Sequence, residues 1–382
     1  MSKRRIMRRA RAALLGGLIS FVAIQLALGV VLDGPWAAVR DAEYGEKLAR
    51  VRARLRQEPE APFVLLLGSS RSANGVVPDR IAGAATAAGE RPVVFNFAMP
   101  GFGPVQELVL LERLLRQGIR PDRLLIEIHP ALLHQEPDGC SEFWWMRLER
   151  IEARDLAVVH RFVAEPGRWS WLEPRHWPWA WWHGRLAPAW SYRLAILDVL
   201  APAWVPSGLG LPYLKQIDAA GWFPSPFPPP TDDDRRRWVE NARIEYAPVF
   251  DRYHVTSMAE RALREILDDC RREGIAAALF LMPEGSNFRA WYPPGARDEI
   301  ESYLAGLRAE YGVSVFDATS CCDDGDFADG HHLYSEPAAE FSERFGRELV
   351  RPWLAGTCSA AARLELVHRT ASPGSKQREA RE

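Results

Sequence analysis

The sequence contains few cysteines, and none is spaced as in a Cys-x-x-Cys motif. Five cysteines at irregular intervals among 382 residues indicate neither a disulfide framework nor a structural zinc site. The chain also lacks an excess of basic residues, with 48 Lys and Arg against 50 Asp and Glu. Six of the basic residues lie among residues 1–11, where there is no acid, so residues 12–382 carry a net charge of −8. A body this acidic is a poor match for phosphate backbones, which excludes nucleic acid as a partner.

Long apolar runs are absent except for one, which excludes a polytopic membrane protein. Residues 12–32 carry no charge, and about twenty apolar residues span a hydrocarbon core. The basic residues before this run favour a cytoplasmic amino terminus. We therefore predict a cytoplasmic tail and transmembrane signal anchor over residues 1–33, with membrane contact through residues 12–32 and a periplasmic or extracellular body. Two alternatives stay open: a signal peptide with its cleavage site at Ala27-Leu28-Gly29, and a buried helix of a soluble enzyme.

Five short apolar runs predict strands that are buried on both faces. They cover residues 63–68, 92–97, 124–129, 276–282 and 313–317, and such runs are typical of parallel sheets. Helical patterns lie between them, with start signals at Pro104 and at Ser257, which forms a capping box with Glu260. This alternation predicts an α/β protein with a three-layer, flavodoxin-like fold around a five-stranded parallel sheet.

The other segments do not follow this alternation. Residues 34–60 are charged and predict a spacer helix, and the sheet domain is expected in two parts, residues 61–137 and 257–354. Residues 138–256 hold twelve of the fifteen tryptophans among many prolines, which predicts an insertion subdomain over the carboxyl ends of the strands. Its tryptophans have three roles open to them: packing, stacking on sugar rings, or contact with the bilayer surface. The polar residues 355–382 predict a disordered tail.

Two short segments carry residues with the chemistry of a serine hydrolase. Gly68-Ser69-Ser70-Arg71 follows the first predicted strand, and Asp329-Gly330-His331-His332-Leu333 follows the last. A serine nucleophile needs a base that is itself oriented by a carboxylate. Either segment alone would be typical of a polar loop. Because both loops open at the same end of a parallel sheet, we predict that Ser70, His332 and Asp329 meet as nucleophile, base and orienting acid.

On these residues the chain resembles the SGNH hydrolase superfamily, also called GDSL-like esterases, over about 63–135 and 275–350. Gly68-Ser69-Ser70 stands where the family has Gly-Asp-Ser, and Asp329 with His332 is similar to its fifth block. Residues 96–101, NFAMPG, resemble the second block. The resemblance implies that Ser70 is the nucleophile and that the amides of Ser70 and Gly101 line an oxyanion hole.

The third block departs from the family, which has Gly-x-Asn-Asp where this chain has Glu127-Ile128-His129-Pro130. Either the ring N–H of His129 replaces the asparagine as an oxyanion donor, or the site is inactive. Similar departures occur in the branch associated with O-acylation of cell-envelope polysaccharides, whose members are often tethered by one amino-terminal helix. The resemblance therefore implies a membrane-anchored serine esterase or O-acyltransferase acting on acyl esters, with a polysaccharide substrate and a membrane-embedded acyltransferase as a partner. The alternative is a catalytically inactive binding or assembly protein for exopolysaccharide.

Further polar residues near these segments predict substrate contacts but no metal. The loop after the fourth strand carries Glu284, Ser286 and Arg289, and with Arg71 these are expected to touch the substrate. Cys321-Cys322 and the acidic residues that follow lack the spacing of a zinc site or a calcium loop. We therefore predict that the protein uses neither a metal nor another cofactor.

Overall fold

The structure of the protein is a computed structural model. It describes residues 3–34, 36–86, 90–134, 142, 150–152, 154–163, 184–205, 212–226 and 231–365. Within these ranges six strands form one sheet: β1 (Phe63–Leu67), β2 (Val93–Asn96), β3 (Arg123–Glu127), β4 (Ala276–Leu281), β5 (Ser314–Asp317) and β6 (Ala361–Arg363).

The described α-helices are α1 (Lys3–Asp33), α2 (Ala37–Arg40), α3 (Ala42–Gln57), α4 (Ser70–Gly75), α5 (Pro78–Ala85), α6 (Pro104–Arg116), α7 (Pro130–Leu133), α8 (Asp155–Val163), α9 (Pro188–Ser191), α10 (Arg193–Leu200), α11 (Asp232–Asp251), α12 (Ser257–Glu273), α13 (Ser286–Ala290), α14 (Ala296–Tyr311), α15 (Ser335–Phe345) and α16 (Arg351–Leu354). A π-helical turn covers Gly346–Val350, and 3₁₀ turns cover Pro202–Trp204, Pro212–Gln216 and Asp324–Asp326.

The sheet is parallel and has the strand order β2-β1-β3-β4-β5-β6. Leu65 of β1 lies between Phe95 of β2 and Leu124 of β3. One face of the sheet packs against apolar side chains of α3, α6, α12 and α14, and the other against those of α4, α5 and α15. The expectation of an α/β protein with a parallel sheet between helices is confirmed. All five residues of β1 are buried, as a strand covered on both faces requires.

The sheet has six described strands, so the prediction of five is wrong. β6 pairs with β5 at the edge, with Val315 opposite Ala361. Its three residues are exposed or half-buried, and a run this short and this weakly apolar gives no recognisable strand pattern. β6 also lies in the segment predicted as a disordered tail, which is therefore ordered as far as residue 365. The rest of the predicted tail, 366–382, lies outside the described residues.

The helix predicted as a spacer packs against the sheet domain instead. Tyr44 and Val51 of α3 belong to the main hydrophobic core, and Lys47 is completely buried. The four arginines of α3 are half-buried or exposed, at positions 50, 52, 54 and 56. Their number hides the narrow apolar stripe of α3 in the sequence, because a stripe of a few residues is enough to bury one face of a helix.

The amino-terminal helix α1 is long and apolar enough over Arg5–Asp33 to span a membrane. Its apolar side chains, such as Leu14, Leu18 and Phe21, are exposed along most of its length. In this structure α1 is therefore not a core helix, as the soluble-enzyme alternative would require. The positive charges at its start precede the apolar stretch directly.

Candidate active site

A cavity of about 630 Å³ opens at the carboxyl ends of the strands. Its lining includes Ser70 after β1, Gly101 after β2, His129 after β3, and Asp329 with His332 after β5. Ligand sites of open parallel sheets lie at this edge. Helix α11, from the predicted insertion, covers the cavity with Trp238, Asn241, Ala242, Glu245 and Tyr246. The described part of the insertion thus lies over the strand ends.

Ser70 is the first residue of α4, directly after the turn that follows β1. Ser69 precedes it as the N-cap, and its Oγ accepts a hydrogen bond from the Arg71 N–H. Gly68 must be a glycine, because a Cβ there would lie 2.5 Å from Glu127 Oε2. That carboxylate accepts hydrogen bonds from the Ser69 N–H at 2.8 Å and from its hydroxyl at 3.0 Å. Glu127 therefore fixes the turn that presents Ser70 and leaves the Ser69 hydroxyl engaged.

Ser70, His332 and Asp329 form a continuous hydrogen-bonded line. His332 Nε2 lies 2.8 Å from Ser70 Oγ, and His332 Nδ1 lies 2.7 Å from Asp329 Oδ2. The other carboxylate oxygen of Asp329 accepts the His332 backbone N–H at 2.9 Å, which fixes the position of the ring. Both distances fall in the range expected for a nucleophile, its base and the acid that orients the base.

The electrostatics around Asp329 keep this carboxyl group charged. Burial alone would raise its pKa, but attraction to His331 and His332 and hydrogen bonds from His332 outweigh burial and leave the pKa well below its usual value. Burial lowers the pKa of His331 to about 3, although Asp329 acts in the opposite direction. Asp329 is thus a stable anion beside His332, which is the charge that would stabilise a protonated base.

The loop after β2 supplies the opposite side of the cavity. Gly101 has a φ of +78°, a left-handed conformation that favours glycine. Ser70 and Gly101 both line the cavity, and among the described residues neither backbone N–H donates to a backbone carbonyl. Asn96 holds this loop to α4, since its side-chain amide donates to the carbonyl oxygens of Ser72 and Val76, both at 2.8 Å. Two free amides at one cavity wall are what an oxyanion hole requires.

His129 lies at the end of β3 and lines the same cavity. Burial, together with the positive charge of Arg71, holds its pKa well below the usual value, so the ring is neutral. Its Nε2 lies 3.3 Å from the hydroxyl of Tyr246, and its Nδ1 has no hydrogen-bond partner among the described residues. A neutral imidazole carries one N–H and could donate it in the cavity.

Two residues that the sequence did not single out position the site. Lys47 of α3 is completely buried and donates to the carbonyl oxygens of Asn96 at 3.1 Å, Ala98 at 2.9 Å and Gly221 at 2.9 Å. It thereby ties the loop after β2 to the predicted insertion. Tyr246 of α11 lies between His129 and His331, with its hydroxyl 3.5 Å from His331 Nε2. Neither residue stands in a recognisable motif, and the only signal for Lys47 is an isolated lysine on a helix face with apolar neighbours.

The four predicted substrate contacts are not among the residues that line the cavity. Arg71 is buried behind Ser70, where it donates to the carbonyl oxygens of Met282 at 3.1 Å and Pro283 at 3.0 Å and lies 3.3 Å from Glu284. Glu284 also accepts from the Tyr292 hydroxyl at 2.8 Å. Arg71 and Glu284 thus join the loops after β1 and β4. Buried charges need such partners, which explains why they point into the protein.

The other two predicted contacts, Ser286 and Arg289, are also engaged elsewhere. Ser286 pairs with the carboxylate of Asp324 at the surface, and Arg289 donates to the backbone carbonyls of Glu284 and Thr319. The loop after β4 therefore closes on itself and on the loop after β5. We expected these residues to face the cavity because they follow a strand directly. Their hydrogen bonds to other loop residues instead keep them out of the cavity lining.

Three side chains of the site could also ligate a metal. In the described part of the chain, the ligating atoms of Asp329, His331 and His332 lie within 4.8 Å of one another, and these are residue types that zinc accepts. A metal bound by His332 would replace its hydrogen bond to either Asp329 or Ser70. The serine-hydrolase arrangement and a metal centre thus make different demands on the same ring and predict different responses to a chelator.

A scan against protein-family models and a search of curated proteins gave no match for this chain.

Proposed function

We propose that the protein is a membrane-anchored, extracytoplasmic serine esterase or O-acyltransferase of the SGNH type, acting on acyl esters of a cell-envelope polysaccharide. The observation that carries the proposal is the line from Ser70 Oγ through His332 to Asp329, with spacings of 2.8 and 2.7 Å, at the wall of a 630 Å³ cavity. A serine alone is a weak nucleophile, and this arrangement supplies its base and the base's counter-charge.

In the first half of the reaction, Ser70 Oγ attacks the acyl carbonyl carbon while His332 Nε2 takes the hydroxyl proton. Asp329 stabilises the imidazolium that forms. The oxyanion accepts hydrogen bonds from the N–H groups of Ser70 and Gly101, with His129 as a neutral third donor. When the intermediate collapses, the bond to the leaving alcohol breaks, His332 returns the proton to that alcohol, and the acyl group remains on Ser70.

In the second half, water or a sugar hydroxyl releases the acyl group from Ser70. The oxygen of water or of the sugar hydroxyl attacks the acyl-serine carbonyl carbon while His332 takes its proton. The bond between the acyl carbon and Ser70 Oγ then breaks, and His332 returns the proton to Ser70 Oγ. Attack by water gives hydrolysis, and attack by a sugar hydroxyl gives O-acyl transfer. In the transfer case, a membrane-embedded acyltransferase is the expected source of the acyl donor.

A fluorophosphonate probe, which traps an activated serine, tests the proposal. We expect the wild type to be labelled, Ser70→Ala and His332→Ala to lose the label, and Ser302→Ala, at an exposed serine of α14, to keep it. EDTA should not change the labelling, whereas a metal held by Asp329, His331 and His332 would make it chelator-sensitive. If the folded wild type is not labelled, the alternative function is favoured instead, an inactive binding or assembly protein. The altered third block is the sequence feature that supports this alternative.

The lining of the cavity supports a sugar-containing substrate. Trp238 offers an aromatic face, and Asn241 and Glu245 beside it on α11 offer polar groups, a combination that suits the two sides of a sugar ring. We expect Trp238→Ala to lose activity on an acetylated oligosaccharide while it keeps activity on a short aryl acetate, which serves as the internal control. Equal losses on both substrates, or a preference of the wild type for the aryl ester, would contradict the glycan assignment.

The placement at the membrane is supported by α1 and by what packs against it. Leu32 of α1 is fully buried in a small cluster with Val39 and Tyr192. Cleavage at residues 27–29 would remove Gln25, which accepts a hydrogen bond from the Ala189 N–H, and would end the packing of Leu28 against this cluster, so these contacts favour a retained anchor. The basic residues before the apolar stretch favour a cytoplasmic amino terminus, which puts the cavity outside the cytoplasm.

A further inference from the structure

Exposed apolar side chains are concentrated in one short part of the body. Outside α1, six large apolar side chains of the described residues are exposed, and five of them lie in residues 184–204, which we call the interfacial segment. They are Leu186, Trp190, Val199, Leu200 and Trp204, and the sixth is Ile244. Trp190 is 65% and Trp204 79% exposed. Scattered single apolar residues are normal on a surface, but a cluster of this kind marks an interaction site.

The interfacial segment packs directly on the last turns of α1. The side-chain carbonyl of Gln25 accepts a hydrogen bond from the Ala189 N–H at 3.2 Å, and Arg185 pairs with Asp33. Leu28 and Leu32 of α1 contact Tyr192 and its neighbours on α10. Gln25 is thereby buried, although most side chains of the apolar stretch around it are exposed. The segment is thus fixed beside residues 25–33 of α1.

We propose that the interfacial segment lies in the outer leaflet of the membrane that α1 spans, with its exposed apolar side chains among the lipid acyl chains. The inference rests on the proposed anchoring of α1. Leu26 and Val30 are exposed on the same turns of α1 that the interfacial segment packs against. A membrane that surrounds these turns of α1 would therefore also cover the exposed apolar side chains of the segment.

The depth and the residue types agree with a position at the boundary between acyl chains and headgroups. From Gln25 to Asp33 the helix rises about 12 Å, and in-plane helices bury their apolar face about 5–10 Å below the headgroups. Tryptophan is enriched at this boundary. Arg193 has its guanidinium 4.2 Å above the Trp190 ring, a cation–π contact that pairs a positive charge with the aromatic ring, as suits a position next to the headgroups.

Photocrosslinking of the full-length chain to lipid tests this inference. The chain is reconstituted in vesicles of phosphatidylethanolamine and phosphatidylglycerol, with p-benzoylphenylalanine in place of Trp190, Leu200 or Trp204, one position at a time. The matched control is the same residue in place of Ile244, the exposed apolar side chain of α11 that lies away from α1. The positive control is the same residue in place of Leu18, in the middle of the anchor. Lipid adducts are quantified by mass spectrometry, and resistance to protease shows that each variant is folded.

We expect the three segment positions to form several-fold more lipid adduct than the Ile244 position and to approach the Leu18 position. If Leu18 is crosslinked but the three segment positions give no more adduct than Ile244, the inference is overturned while the anchor stands. If Leu18 is not crosslinked either, both the anchor and the interfacial segment are wrong. The three positions are independent, so one misfolded variant does not decide the result.

Discussion

Replacing Lys47 by methionine tests how the oxyanion side of the cavity is held in place. The ammonium group of Lys47 makes three buried hydrogen bonds, to the carbonyl oxygens of Asn96, Ala98 and Gly221. Methionine has a similar length and no donor, so Lys47→Met leaves three carbonyl groups without this partner. We expect the loop from Asn96 to Gly101 to shift, and the rate of fluorophosphonate labelling at Ser70 to fall with it.

The cost of the substitution follows from two opposing effects. A buried acceptor left without a partner costs about 1–3 kcal/mol, so three of them cost roughly 3–9 kcal/mol. Against this, the variant no longer buries a charge. Burial lowers the pKa of Lys47 from 10.5 to about 8, which corresponds to a penalty of about 3 kcal/mol on the charged form near neutral pH. The net loss of unfolding free energy for Lys47→Met at neutral pH should therefore lie near the middle of a range of about 0–6 kcal/mol, at about 3 kcal/mol.

The same pKa gives the effect of pH on this difference. Below about pH 8 Lys47 is charged in the folded and the unfolded chain, and the burial penalty is fully present. Between pH 8 and 10.5 the unfolded chain still binds the proton that the folded chain has released, so the wild type gains stability as pH rises. Across this window the unfolding free energy of the wild type should rise by about a further 3 kcal/mol relative to that of Lys47→Met. Urea unfolding of the detergent-solubilised chain, followed by tryptophan fluorescence, measures both quantities.

A matched control lies one turn away on the same helix. Arg50 pairs with Glu46 at 2.7 Å, and both side chains are partly exposed, so Arg50→Met should cost less than about 1 kcal/mol and show no such dependence on pH. If Lys47→Met were as stable as Arg50→Met at neutral and at alkaline pH, and labelled Ser70 as fast as the wild type, Lys47 would not hold the loop.

Two further predictions concern the cavity wall and the turn that Lys47 holds. His129→Asn should label much faster than His129→Ala, because one oxyanion donor is typically worth about 3 kcal/mol, or on the order of a hundredfold in rate; equal labelling rates would remove His129 from the mechanism. Gly221→Ala should lower the melting temperature several-fold more than Gly118→Ala. Both glycines have a positive φ, but a Cβ at Gly221 would lie 2.3 Å from the Asn96 carbonyl oxygen, whereas at Gly118 nothing lies within 4 Å; similar losses by thermal unfolding would contradict this packing.

The sheet could be predicted from the sequence because a strand covered on both faces needs an unbroken apolar run. Residues 63–68 and 124–129 were recognisable for that reason, and their strands end within two residues of the predicted bounds. β6 lies at the edge of the sheet and its residues are exposed or half-buried, so its sequence does not need an unbroken apolar run. Lys47 shows the other limit: its partners lie 49, 51 and 174 residues away, and only the folded chain brings these segments together.

The candidate triad could be anticipated because the order of the strands fixes where loops meet. In a parallel sheet, the loops after β1 and β5 open at one edge, so a serine in one and Asp329 with His332 in the other can approach. The same argument failed to distinguish which neighbours face the cavity. Arg71 follows Ser70 directly, yet it is turned inward because Glu284 and two carbonyl groups compensate its charge there. Topology predicts which loops meet, but the pairing of charges decides which side chains face the substrate.

The insertion tryptophans show why composition alone could not assign them a role. Eight of the twelve lie outside the described residues, and the other four occupy three different environments. Trp222 packs against the sheet domain and donates its indole N–H to the Asn74 carbonyl at 2.8 Å. Trp238 lines the cavity, and Trp190 and Trp204 are exposed in the interfacial segment. Packing, substrate contact and membrane contact need the same flat, amphipathic ring. The position of each tryptophan relative to the sheet and the anchor, not the abundance of the residue, therefore determines what it can do.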